Sequence, residues 1–265
     1  MHPIERLRYV ARAGDVDQAL LVREAASALG SLGDDPGHLM VSSRRMVDRH
    51  QRAGAMWSLA ARVLTSNDPM RSAWAFLDEL DEDKTAIHVA RSLPASARVC
   101  LIGWPDLAAE ELSRRGDVEV RVIDAYGEGA GLVRRLEARN VDVVEVTLTG
   151  LGAAASTADV ALVEAAVCGA TGIIAAAGSL AVAATCRAGG GRVIAVVGAG
   201  RALPERMFEA ARSSLDSEMP WEDDEEFVPM ELIDAAVGPT GEMTVADLCG
   251  RADCQLAPEL LRPPI

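Results

Sequence analysis

Aromatic side chains are scarce in this chain, at 3% of 265 residues, although 49% of the residues are hydrophobic. With a mean hydropathy just above zero, the composition fits a soluble, mostly buried chain, long enough for one large domain or two small ones. Basic charge is also short. Against 40 Asp and Glu there are 26 Lys and Arg, a formal net charge of −14. That balance repels phosphate backbones and anionic headgroups, so nucleic-acid or membrane binding through a general basic surface is excluded. A small anion held in a local basic pocket is still compatible with it.

The stretch Met1–Arg12 is charged and has no apolar core, so no secretory signal is expected. The five cysteines are an odd number, which with that absence implies a reduced, cytoplasmic setting. No histidine stands near Cys249 and Cys254, so neither a zinc site nor any other metal is expected. Cys100 and Cys168 lie in apolar runs and suit packing as small hydrophobes. A third glycine is missing after Gly198-Ala199-Gly200, and Pro204 falls where a helix would have to run; no nicotinamide or other cofactor is expected. Charge is absent from Ala165 to Cys186, a run long enough to span a bilayer. Its repeated glycines and its flanks Glu164 and Arg187 fit a buried strand, turn and helix instead.

The first ninety or so residues carry helical periodicity at Val16–Leu29, with Asp15 as a cap, and at Ala53–Leu64 and Ser72–Leu80, with breaks at Ser31–Gly37 and Asn67–Pro69. The acidic turn Asp78–Lys84 and the Leu93-Pro94 step mark a boundary, giving a helical domain over 1–94 and a second domain over 95–265. From Arg98 the pattern changes to strands at Val99–Ile102, Val118–Ile123, Val141–Val146, Val160–Val163 and Arg192–Val197. Helices are expected between them at Asp106–Arg115, Gly131–Asn140 and Leu180–Arg187. This is the alternation of an α/β protein with a parallel sheet, whose ligands approach the carboxyl ends of the strands. The acidic run Glu222–Glu226 is expected to be a solvated loop. Gly127-Glu128-Gly129-Ala130-Gly131, between a strand and a helix, has the composition to aim backbone N–H groups at an anion; a tight turn needs the same glycines.

These pieces together resemble the family that unites the alpha, beta and delta regulatory subunits of eukaryotic translation initiation factor 2B with methylthioribose-1-phosphate isomerase and ribose-1,5-bisphosphate isomerase. The family's Arg-Pro-Thr motif is similar to Arg52-Ala53-Gly54, and its Arg-Pro-x-Gly-x-Gly turn to Asp124-Ala125-Tyr126-Gly127-Glu128-Gly129. Its Gly-Ala-Asp, Asn-Gly and Asn-Lys-Ile-Gly-Thr series is similar to Glu164-Ala165-Ala166, Thr171-Gly172 and Ala176-Ala177-Gly178-Ser179. Its terminal Val-Pro-Pro-Glu-Leu-Ile is similar to Val228-Pro229-Met230-Glu231-Leu232-Ile233. The resemblance implies a helical N-terminal domain followed by a Rossmann-like domain of the NagB/RpiA/CoA-transferase-like kind, and a homodimer. It also implies an acid/base pair, a cysteine and an aspartate, that falls at Gly103 and Ala166. Neither can carry a proton. The family's arginine at the glycine-rich turn falls at Asp124, and its Asn-Lys pair falls among alanines.

The expectation is therefore a non-catalytic binding or regulatory protein for a small phosphorylated ligand, a phosphosugar or a nucleotide. The ligand residues are Arg52, Gly127, Gly129, Gly172 and Arg201, with Arg201 supplying a replacement charge and Arg52 equally readable as a surface helix arginine. Two other readings stay open. One is a phosphosugar isomerase using other residues; the other is a structural subunit whose pocket is closed by side chains such as Trp104 or Tyr126.

Overall fold

The computed structural model describes residues 17–30, 35–125, 127, 129–216 and 218–261. The stretch Met1–Arg12, the cap at Asp15 and Tyr126 lie outside the described residues. Helices come first: α1 (Gln18–Gly30), α2 (Pro36–Arg49), α3 (Gly54–Thr65), α4 (Pro69–Asp81) and α5 (Thr85–Ser92). Helices α1, α3 and α4 answer the three expected periodic stretches. Helix α2 escaped that reading because only Leu39, Ser43, Met46 and Val47 are buried on it. Its start was nonetheless written locally, since the Asp35 carboxylate accepts the His38 N–H and Pro36 opens the first turn. Helix α5 follows the acidic turn, where Asp83 accepts both the N–H and the hydroxyl of Thr85.

Ten strands follow among the described residues: β1 (Arg98–Ile102), β2 (Glu119–Asp124), β3 (Asp142–Thr147), β4 (Val160–Glu164), β5 (Val167–Cys168), β6 (Gly172–Ala176), β7 (Arg192–Val196), β8 (Glu225–Pro229), β9 (Ala235–Gly238) and β10 (Gly241–Met243). Seven form one sheet in the order β10-β9-β7-β4-β1-β2-β3. It is parallel from β3 to β9, and β10 closes it as an antiparallel edge. Helices α6 (Asp106–Glu110), α7 (Gly129–Glu137), α8 (Leu151–Ser156) and α9 (Ser179–Ala188) connect these strands; α10 (Glu205–Arg212) and α11 (Val245–Cys249) complete the set. The helix expected over Asp106–Arg115 is shorter, because it tightens into a 3-10 turn at Glu111–Arg114.

Along β1, Val99 and Leu101 enter one core with Leu112, Leu132, Leu162 and Ile194, while Cys100 and Ile102 enter another with Ala161, Val163 and Cys186. Burial of both faces explains why β1, β4 and β7 read as near-continuous apolar runs, while β3 at the sheet edge is largely exposed. Val89 of α5 packs in the first of these cores. The uncharged run Ala165–Cys186 is β5, a turn, β6 and most of α9. Among the described residues no helix is long and apolar enough to cross a membrane.

The remaining strands, β5, β6 and β8, form a small antiparallel sheet. It corrects one expectation: the acidic run Glu222–Glu226 is not a solvated loop but the end of a 3-10 turn leading into β8. Val167 and Ile174 of this sheet, with Phe208, close the core beneath α1, α3 and α4, against Val22, Leu59 and Phe76. The small sheet thus packs beneath α1, α3 and α4, whereas α5 packs on the large sheet.

Candidate functional site

A cavity of about 1000 Å³ opens where the α2–α3 turn faces the carboxyl ends of β1 and β4. Gly103 and Trp104 line it from the end of β1, Glu164 from the end of β4, Arg49 to Ala53 from the helical layer, and Asp224 and Glu225 from the start of β8. Gly103 has φ +63 and open space where a Cβ would stand, so its turn needs glycine for backbone reasons alone. The helical layer is seated on the sheet by close backbone contact. Gly54 donates its N–H to the Ala166 carbonyl at 3.1 Å, and a Cβ on Gly54 would come within 2.9 Å of that oxygen. Gln18 bridges the same place, donating to the Ala166 carbonyl at 3.0 Å and accepting the Ala55 N–H at 3.1 Å.

Both positions that the resemblance assigns to the acid/base pair, Gly103 and Ala166, line this cavity. So do Arg52 and Arg201. Their guanidinium groups are taken by the protein's own oxygens. Arg201 is buried and donates to Glu164 Oε1 at 2.7 Å and to the Ala165 carbonyl at 2.9 Å. Burial by itself would lower its pKa, but the Glu164 charge and hydrogen bond raise it overall, so the cation is secure. Arg52 donates from Nη1 and Nη2 to the two carboxylate oxygens of Asp223 and from Nη2 to the Ser214 carbonyl at 2.8 Å, with Glu225 Oε2 at 3.7 Å from Nε. Of the cavity arginines, Arg49 has no ion pair among the described residues.

The backbone donors expected to face an anion are likewise taken. Gly127 and Gly129 donate to Asp124 Oδ1 at 2.8 and 3.1 Å, and neither is among the residues that line the cavity. Asp124, where the resemblance placed an arginine, therefore fills the turn itself. Glu164 Oε2 accepts the Leu107 and Ala108 N–H groups at the start of α6, each at 2.9 Å. Glu226 accepts the Leu180 N–H at the start of α9, and Asp83 accepts the Ala199 N–H in the Gly198–Gly200 turn. Gly172 lies outside the lining too: it sits in β6, where a Cβ would come within 2.5 Å of both the Phe227 ring and the Val228 carbonyl. Close strand packing, not a ligand, accounts for it.

Titration sets the remaining chemistry. Burial pushes the Glu225 carboxyl up to about 7 despite the neighbouring Arg52 charge. Burial, then the nearby Arg49 charge, lowers the His50 pKa, and its Nε2 is buried without a partner among the described residues. The Cys100 and Cys168 thiols are pushed up to about 12 by burial and are not nucleophiles at neutral pH. Among the described residues no cluster of His, Cys, Asp or Glu could hold a metal ion. The acids Asp223, Asp224 and Glu225 were missed as site residues because their run looks solvated in sequence. The cue available was its position just ahead of the apolar pair Phe227-Val228.

A helical layer set over the carboxyl ends of a mostly parallel sheet, with a cavity between them, defines a two-layered α/β fold. Solved structures share it. The translation initiation factor eIF-2B of Pyrococcus horikoshii OT3 superposes with a TM-score of 0.76 at 16% identity, over 93% of this chain and 98% of that one. The tetrameric eIF2B-beta2-delta2 complex from C. thermophilum gives 0.76 at 17% identity over 93% and 92%. The eIF-2B delta subunit from A. fulgidus gives 0.59 at 13% over 94% and 92%. No family model matches the chain, and no curated protein matches it in sequence. The chain has the fold of the eIF2B subunits, as the sequence resemblance implied.

Proposed function

We propose that this chain is an eIF2B-like protein of the alpha, beta and delta subunit type, acting in the cytoplasm as a homodimer and binding a small phosphorylated ligand, a phosphosugar or a nucleotide, without turning it over. The observation that carries the reading is the emptiness of the chemistry at Gly103 and Ala166. Both positions line the cavity, so the place is kept while the proton carriers are gone. The cavity volume argues against a closed structural subunit, since Trp104 lines the space without filling it.

One observation favours the isomerase reading. Glu225, in the same cavity with a pKa of about 7, has the protonation behaviour of a general acid or base. The test is an assay with methylthioribose 1-phosphate and ribose 1,5-bisphosphate, run beside a thermal-shift screen of pentose phosphates and nucleotides. A thermal shift with no turnover supports the binding reading. Turnover that disappears in Glu225→Gln replaces it with the isomerase reading.

A further inference from the structure

We infer that Asp223 is an internal competitor for the anion position at Arg52, so that an anionic ligand enters this cavity by displacing the protein's own carboxylate. The inference rests on the binding reading above and adds the regulation of that site. A carboxylate and a phosphate present the same pair of oxygens to a guanidinium fork, and Asp223 already makes that two-point contact with Arg52. Arg52, Ser214, Asp224 and Glu225 all line the cavity, so the occupied fork stands at its wall.

Asp223 also holds local structure. Its Oδ2 accepts the Asp216 N–H at 2.9 Å, and its Oδ1 lies 3.4 Å from the Glu225 N–H at the start of β8. Arg52 in turn holds the Ser214 carbonyl. The fork therefore ties the helical layer to the approach to β8, including the 3-10 turn Pro220–Glu222 with its exposed Trp221. Displacement of Asp223 loosens that turn. Occupancy of the cavity is thereby reported at the surface.

Inorganic phosphate is the probe, titrated by calorimetry at fixed ionic strength into wild type, Asp223→Asn and Arg52→Gln, with hydrogen exchange followed over 220–229. Asp223→Asn keeps the shape and removes the competing charge, so phosphate affinity rises by about tenfold, the scale of one charge-assisted hydrogen bond. Exchange over 220–229 rises in both variants, and in wild type at saturating phosphate; Arg52→Gln does not bind. The wild-type exchange measurement needs no substitution, so the test holds even if a variant does not fold. Equal phosphate affinity in wild type and Asp223→Asn, or unchanged wild-type exchange at saturation, overturns the competitor while leaving the binding reading intact. Absence of phosphate binding in both proteins overturns the two together.

Discussion

Two ends of one sheet handle charge in opposite ways. At the amino ends of the strands Arg98 pairs with Asp159 at 2.7 Å, and the two side chains are 45% and 43% exposed. At the carboxyl ends Arg201 pairs with Glu164 at the same 2.7 Å, with exposures of 7% and 11%. Equal distances hide unequal energetics. In water the ions of the first pair lose little when separated, whereas in the second each charge, little exposed, would lose its counter-ion. The same end of the sheet is where a parallel α/β fold offers N–H groups to a ligand. Here Asp124, Glu164, Glu226 and Asp83 accept those groups. The net charge of −14 is therefore not only a property of the open surface; part of it sits on half-buried carboxylates at positions that face anions in such folds.

The sharpest break of that contrast is Arg201→Ala, which takes the counter-ion from Glu164 and leaves it only the Leu107 and Ala108 N–H groups. Denaturant unfolding should show a loss of about 3–5 kcal/mol. Glu225→Gln comes next and depends on pH. The folded-state pKa of about 7 stands above the ordinary 4.5, so Glu225 favours the fold below pH 4.5, and this contribution is lost as pH rises through 7. Unfolding at pH 5 and pH 8 should find the variant gaining on wild type by about 1–3 kcal/mol between the two. Asp124→Ala, which leaves the Gly127 and Gly129 N–H groups without their acceptor, should cost about 1 kcal/mol by the same measurement. Arg98→Ala at the amino end should change the midpoint by less than the scatter between repeats, and a loss as large as that of Arg201→Ala would erase the contrast.

Where the amino-acid pattern was decisive, the reason is local. β1, β2, β3, β4 and β7 are short apolar or β-branched runs set off by turn residues, and the parallel order follows from the helices between them. That Gly103 and Ala166, where the resemblance places an acid/base pair, have side chains that carry no proton is likewise a matter of residue identity, visible before any coordinates. The small sheet was not legible, because β8 begins in acids, whose polarity argues for solvent until a cavity and Arg52 are seen beside them. Nor could composition tell that Arg52 and Arg201 are already paired. Asp223 lies 171 residues from Arg52, and Glu164 lies 37 from Arg201. Helical and strand periodicity is set by neighbours within a few residues, so the chain alone determined the five main strands of the large sheet and their parallel sense. Electrostatic pairing depends on distance and burial after folding, so only the tertiary structure decided which charges of this acidic chain meet and which anion positions they fill.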